Sequence, residues 1–324
     1  MAKQKKAPAT EEQKAEWAEA RKAKVAALKD RSDEAVAALA EPKAWAAMLH
    51  GMGCFGRRYS LRNVLLIITQ LPGATNVNGF WTWKAQGRDV RKGQHGAAIL
   101  AAMRGTKSTE GEAQEQAKPA AEQATPAEGA QGERKGVRGF KPETVFDISQ
   151  TAPTNPDAPD LCPPVVDADR AAIVHWPAIV ARIATHGYDV ETWTEGDDEE
   201  DGDQGDGYEI DTDSRTVRLT TNGDLADARQ AVHALACLEL GQLDTGEGYE
   251  AAVVDSVAHI VMSGLKLTAD APDPEDFDAI GEALSDTDPE TIIEAVETVA
   301  QAARDILDAI DPMPEPAARP TRKS

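Results

Sequence analysis

Apolar positions recur along this chain in blocks, separated by polar stretches rich in glycine and proline. From 11 to 40 the sequence is dominated by Ala, Glu and Lys. Trp17, Val25, Leu28 and Leu39 are spaced for one stripe of a surface helix that ends before Pro42. Residues 43–51 read as a short helix stopped by a glycine, and Gly51, Gly53 and Gly56 as a loop running into Arg57-Arg58-Tyr59. Ser60 is a candidate N-cap for a helix over 61–71, closed by Pro72-Gly73. Phe80-Trp81-Thr82-Trp83 reads as extended chain, which would aim Trp81 and Trp83 at one face. Residues 97–103 read as a buried strand, and 145–148 as a short strand rejoining the same sheet. Farther on, 173–185, 225–240, 250–265 and 291–310 carry helical periodicity, while 208–210 and 216–219 read as a hairpin.

The stretches between these blocks set the domain organisation. Residues 105–136 lack periodicity and are filled with Gly, Gln, Glu, Pro and Ala, the composition of a disordered insertion. Prolines and aspartates mark 152–169 as a linker. Residues 195–206 hold eight acids among glycines. Asp197, Glu199, Asp201 and Gly202 meet half of a calcium-loop template, but its twelfth position is Tyr208 and not Glu, so a solvated acidic loop is expected. The expected fold class is α+β. A charged N-terminal helix or arm (1–42) precedes an α/β domain (43–151, interrupted at 105–136). After the linker come a mainly helical domain with a small hairpin (170–268), then a C-terminal helix and loose tail (269–324).

Charge changes the picture once its distribution is read. The 324 residues carry a net charge of −22, which at first argues against a nucleic-acid partner. Residues 1–107, however, hold 19 Lys and Arg against 9 acids, a net of +10, and the remainder a net of −32. Within 43–104 there are nine bases and a single acid, Asp89. A local basic face binds phosphates even when the rest of a protein repels them. Three cysteines, Cys54, Cys162 and Cys237, are too few for a disulfide framework. The longest apolar runs, such as 64–68, fall far short of a membrane span, and the basic N-terminus continues without an apolar core. The expectation is a cytoplasmic protein with no membrane partner.

Two groups of residues carry a resemblance. The first is Tyr59-Ser60-Leu61-Arg62-Asn63, Trp81-Thr82-Trp83, Gly87-Arg88, Val90-Arg91-Lys92-Gly93 and Gly96, followed by Val145-Phe146-Asp147-Ile148-Ser149-Gln150-Thr151. In this order they resemble the N-terminal domain of ArdC-type antirestriction proteins, an α/β module associated with single-stranded DNA. The resemblance covers about 40–150 and implies a role in protecting incoming mobile or phage DNA. Binding a single strand without reading its sequence needs cations along the backbone and flat side chains for the bases. The candidate contacts are Arg57, Arg58, Tyr59, Arg62, Asn63, Trp81, Trp83, Lys84, Arg88, Arg91, Lys92 and Gly93. The residues alone leave Trp81, Trp83 and Tyr59 equally open to a place in the core, Asn63 to a local cap, and His95 to an ordinary loop position.

The same family often carries a zinc-metallopeptidase-like domain with an H-E-x-x-H helix and a later E-S-V-A-like run. Here the corresponding stretches read His233-Ala234-Leu235-Ala236-Cys237 and Asp255-Ser256-Val257-Ala258. This weaker resemblance covers about 170–268. It implies a degenerate domain: Ala234 stands where the general base belongs, and Glu239 falls on another face of its helix. The leading expectation is a non-enzymatic single-strand-binding protein without cofactor. The rival is a zinc-dependent peptidase-like enzyme with the altered ligand set His233, Cys237, Asp255 and His259, against which Cys237 reads as a small buried hydrophobe. By spacing, Cys237 with His233 is also open as a nucleophile–base pair. A third reading is an acidic DNA mimic or adaptor that meets a protein partner through the acidic C-terminal half.

Overall fold

A computed structural model describes residues 10–104, 137–155, 167–193, 207–220, 223–242 and 248–313. The expectations for 1–9, 105–136, 195–206, Cys162, most of the linker and 314–324 lie outside these residues. Packing divides the chain into two units, Met1–Leu39 with Phe55–Val165, and Ala40–Cys54 with Val166–Ser324.

Thr10 opens helix α1, Glu11–Ala37, with a capping box: its Oγ1 accepts the Gln13 N–H, and its own N–H donates to the Gln13 side chain. Leu28, Ser32, Ala35 and Val36 are the buried positions of α1. Trp17 is exposed, so the buried stripe is shorter than the apolar spacing suggests. Pro42 starts helix α2, Pro42–Phe55, which runs straight through Gly51 and Gly53 where the sequence suggested a stop. Residues 40–54 group with the second unit, whereas the sequence placed 43 onward in the first domain.

In the first unit, helix α3, Leu61–Gln70, buries Val64, Leu65, Leu66 and Ile67. Strand β1, Val77–Gly79, leads into helix α4, Phe80–Ala85. This corrects the extended reading of Phe80-Trp81-Thr82-Trp83: in a helix, Trp81 and Trp83 point to different sides. Strand β2, Arg88–Val90, pairs antiparallel with β5, Thr151–Pro153, as a two-stranded ribbon. Strand β3, Ala97–Arg104, pairs antiparallel with β4, Val137–Asp147, and β4 pairs with β1, giving the order β1-β4-β3. The expected return of the chain to its first sheet is therefore present, as one long strand. Leu28, Leu66 and Leu100 form a core of α1, α3 and β3.

The outer edge of β3 is closed by side chains of α3. Asn63 Nδ2 donates to the Leu100 carbonyl (3.0 Å) and its Oδ1 accepts the Leu100 N–H (2.9 Å). Gln70, two turns on, does the same to Ala98 at 2.9 and 3.0 Å. Two amide forks thus satisfy backbone groups that an unpaired edge would leave open.

In the second unit, helix α5, Ala168–Thr185, is capped by Asp167 and tolerates Pro177. A mixed sheet follows, with β6 (Asp189–Trp193) parallel to β8 (Thr216–Thr220) and β7 (Tyr208–Asp211) antiparallel to it. The expected hairpin is β7–β8, and β6 is an addition to it. Helices α6 (Asp224–Leu240), α7 (Tyr249–Gly264), α8 (Asp278–Leu284) and α9 (Pro289–Ile310) complete the unit. The fold class is α+β. Helix α2 packs against α7: the Trp45 indole N–H donates to Ser256 Oγ (2.9 Å), which donates to the Ala252 carbonyl. Among the described residues no helix is long and apolar enough to cross a membrane.

Gly53 explains why α2 does not stop at its glycines. A Cβ there would lie 2.3 Å from Ser263 Cβ, so glycine sets the α2–α7 approach. Gly53→Ala is expected to destabilise the protein by about 1–3 kcal/mol through overpacking. Adding Ser263→Gly should restore part of the loss in thermal melts, and a single variant that melts like wild type contradicts this packing.

Candidate nucleic-acid interface

The second half of the first motif group is a clamp. Asp147 is buried, and its Oδ2 accepts the N–H groups of Thr75 (2.9 Å) and Asn76 (3.0 Å), while Oδ1 accepts that of Ser149 (2.9 Å). Its own N–H donates to Gln150 Oε1, and Gln150 Nε2 donates to the His95 carbonyl (2.8 Å). Arg91 N–H donates to the Gln150 carbonyl (2.9 Å) and the Arg91 guanidinium to the Ser149 carbonyl (3.1 Å). The turn holding Arg91, Lys92 and Gly93 is therefore fastened at both ends. Gly93 adopts φ +86°, and a Cβ at Gly96 would meet the Val145 carbonyl at 2.2 Å, so both glycines are required by the local backbone.

Five of the sequence-derived contact residues turn inward. Trp83 is 1% exposed, with its indole donating to the Phe146 carbonyl (2.8 Å), so it is core and offers no stacking face. Arg88 is buried and donates from Nε to Thr151 Oγ1 (2.7 Å). The Arg58 guanidinium reaches Asn78 Oδ1 (2.8 Å) and Asn76 Oδ1 (3.0 Å), and Tyr59 OH donates to the Val77 carbonyl (3.1 Å). Asn63 serves β3 as described, which replaces its reading as a local cap. Arg57 is half-buried, and Arg62 is exposed but ion-paired with Asp33 of α1.

The remaining candidates lie together on the surface. Trp81 is 53% exposed and meets Phe80, itself exposed, edge to face at 5.4 Å. Lys84 Nζ stands 5.9 Å from the centre of the Phe80 ring and 3.4 Å from Asp89 Oδ1. That ion pair ties α4 to β2, whose end runs into the exposed Arg91-Lys92-Gly93 turn. Two rings and three cations are thus exposed on α4 and on the turn that follows β2. Phe80 is an addition to the sequence reading. Its signal was its place beside Trp81, hidden by the assumption of a strand.

In the second unit the residues of the altered ligand set are close but engaged with one another. His233 Nδ1 is 3.4 Å from Asp255 Oδ1, and its ring stacks on Tyr208 at 6.3 Å. Cys237 is 2% exposed, with Sγ 3.2 Å from Tyr208 OH. Burial pushes the Cys237 thiol and the Asp255 carboxyl up, and the His233 imidazole down. His259 lies against Ser263 Oγ (3.3 Å) one turn farther along α7. Metal ligation needs a thiolate and open lone pairs. Among the described residues, no three His, Cys, Asp or Glu side chains are disposed to hold a metal ion. Glu239 is bound to Arg182 (2.6 Å) and to His186 (3.2 Å).

Residues 37–146 match the family described as the N-terminal domain of anti-restriction factor ArdC. Two solved structures similar to the chain are of the antirestriction ArdC protein from the R388 plasmid. The metal-free one shares 14% identity over 77% of this chain and 84% of that one, with a TM-score of 0.39. The Mn(II)-bound one shares 16% over 78% and 85%, with a TM-score of 0.38. A comparison with curated proteins gave no match.

The buried histidines give the second unit a pH dependence. Burial first, then the neighbouring His50 and His233, lower His259 to about 4. Burial lowers His50 and His233 in the same direction. A folded-state value below the unfolded one means that the stability is complete above pH 6.5. It is lost as pH falls toward 4, by up to about 3 kcal/mol for His259. Thermal melts from pH 7 to 4.5 should show a falling Tm, and the fall should shrink in His259→Gln. An identical fall in the variant contradicts the assignment.

Proposed function

We propose that this chain is a single-stranded-DNA-binding protein of the antirestriction type, working in the cytoplasm on mobile or phage DNA and without catalysis. The observation that carries the reading is the set of exposed side chains Phe80, Trp81, Lys84, Arg91 and Lys92, which lies in the segment 37–146 that matches the ArdC N-terminal family. Rings accept unpaired bases, and lysine and arginine side chains track the phosphates. The clamp through Asp147 and Gln150 holds the turn in place before the strand arrives, which lowers the ordering cost of binding.

The non-catalytic part of the reading rests on the second unit. Ala234 stands at the position of the general base, the Cys237 thiol is buried beneath Tyr208, and Glu239 is tied into an ion pair. The position of the general base therefore carries no titratable group. We assign the unit no catalytic role.

Fluorescence anisotropy of labelled single- and double-stranded oligonucleotides across a salt series tests the proposal. Wild type should prefer the single strand. Trp81→Ala should cost about 1–3 kcal/mol. Lys92→Ala should flatten the slope of log K against log salt by about 0.7. Absence of salt-sensitive binding to single strands would overturn the reading.

A further inference from the structure

We infer that the single strand reaches a second contact station on the first unit, formed by Phe140 of β4 and the basic middle of α1, in addition to the Phe80–Trp81 surface. This inference rests on the proposed single-strand binding and extends it to residues outside the motif segments.

Phe140 is 41% exposed, an unusual position for a phenylalanine in the middle of an 11-residue strand. Lys29 Nζ of α1 stands 5.9 Å from the centre of its ring. The same pairing of a solvent-facing phenylalanine with a lysine ammonium, at the same distance, is found at Phe80 and Lys84. The two sites therefore offer one chemistry, a π-face for a base and a cation for the adjoining phosphate.

The charge around Phe140 selects the same partner. Between Arg21 and Arg31, α1 carries Arg21, Lys22, Lys24, Lys29 and Arg31 against one acid, Asp30. All five bases are exposed. Lys22 lies two turns before Lys29 on the same side of the helix, about 10 Å along its axis. Lys22 and Lys29 thus lie in line along one side of α1. An apolar protein partner would gain nothing from that row, whereas a phosphate backbone is matched by it.

The spacing suits one strand. Phe146, whose carbonyl holds Trp83 of α4, is six residues from Phe140 along β4. That separation is about 20 Å of extended chain. It falls within the footprints of about 4–16 nucleotides covered by single-strand-binding folds.

The test compares the full-length protein with Phe140→Leu, Lys22→Ala and Trp81→Ala, using labelled oligothymidylates of six and sixteen nucleotides. Phe140→Leu keeps apolar bulk but removes the π-face, and Lys22→Ala touches no packing. Both should weaken binding of the 16-mer, Phe140→Leu by about fivefold or more. Both should leave the 6-mer within twofold of wild type, whereas Trp81→Ala should weaken both oligonucleotides. If Phe140→Leu and Lys22→Ala bind the 16-mer like wild type while Trp81→Ala does not, the second station is overturned and the first stands. If wild type binds neither oligonucleotide, single-strand binding and the second station fall together.

Discussion

The first unit depends on one buried carboxylate. Asp147 accepts three backbone N–H groups, from Thr75, Asn76 and Ser149, at 2.9–3.0 Å. A buried charge is tolerated only when it is fully hydrogen-bonded, and this one is bonded to segments that are distant in sequence. It joins the loop before β1 to the end of β4, and through Gln150 it reaches His95. Removing it would leave buried N–H groups without acceptors and release the segments that carry α4 and the basic turn at once.

This arrangement divides the motif residues into two sets. Polar groups that look like ligand contacts in the sequence, Arg58, Asn63, Arg88 and Gln150, hold backbone and side-chain partners inside the unit. What remains outside is aromatic and cationic. Exposed cations make weak ion pairs with one another's neighbours, but they retain their charge for a polyanion. The net charge of −22 does not oppose this, because exposed charges act mainly within a Debye length of about 10 Å at 0.1 M salt. Local sign decides the partner.

Much of the fold was readable in the sequence where periodicity was long enough. Helices α3, α6, α7 and α9 and the β7–β8 hairpin lie close to their expected positions because each spans several turns or alternations. The failures are tertiary in origin. Helix α4 has six residues, too few for a 3.6-residue period to declare itself against a strand. Helix α2 continues through Gly53 because Ser263 needs the space, which no local rule reveals. Strand β6 shows no inside–outside alternation, since its burial is slight throughout. The candidate site followed the same logic. The cluster of bases and tryptophans was visible as composition. Its partition into inside and outside was not, because Thr151 and the Phe146 carbonyl, the partners that draw Arg88 and Trp83 inward, lie more than 60 residues away.

The central claim is that the motif's polar residues build the surface and the exposed rings make the contact. Photocrosslinking with an iodouracil-substituted single strand, followed by mass-spectrometric mapping, tests it most directly. Crosslinks should fall on Phe80 and Trp81, with none on the buried Trp83. Crosslinks that map to Trp83, or only to the second unit, would contradict the account.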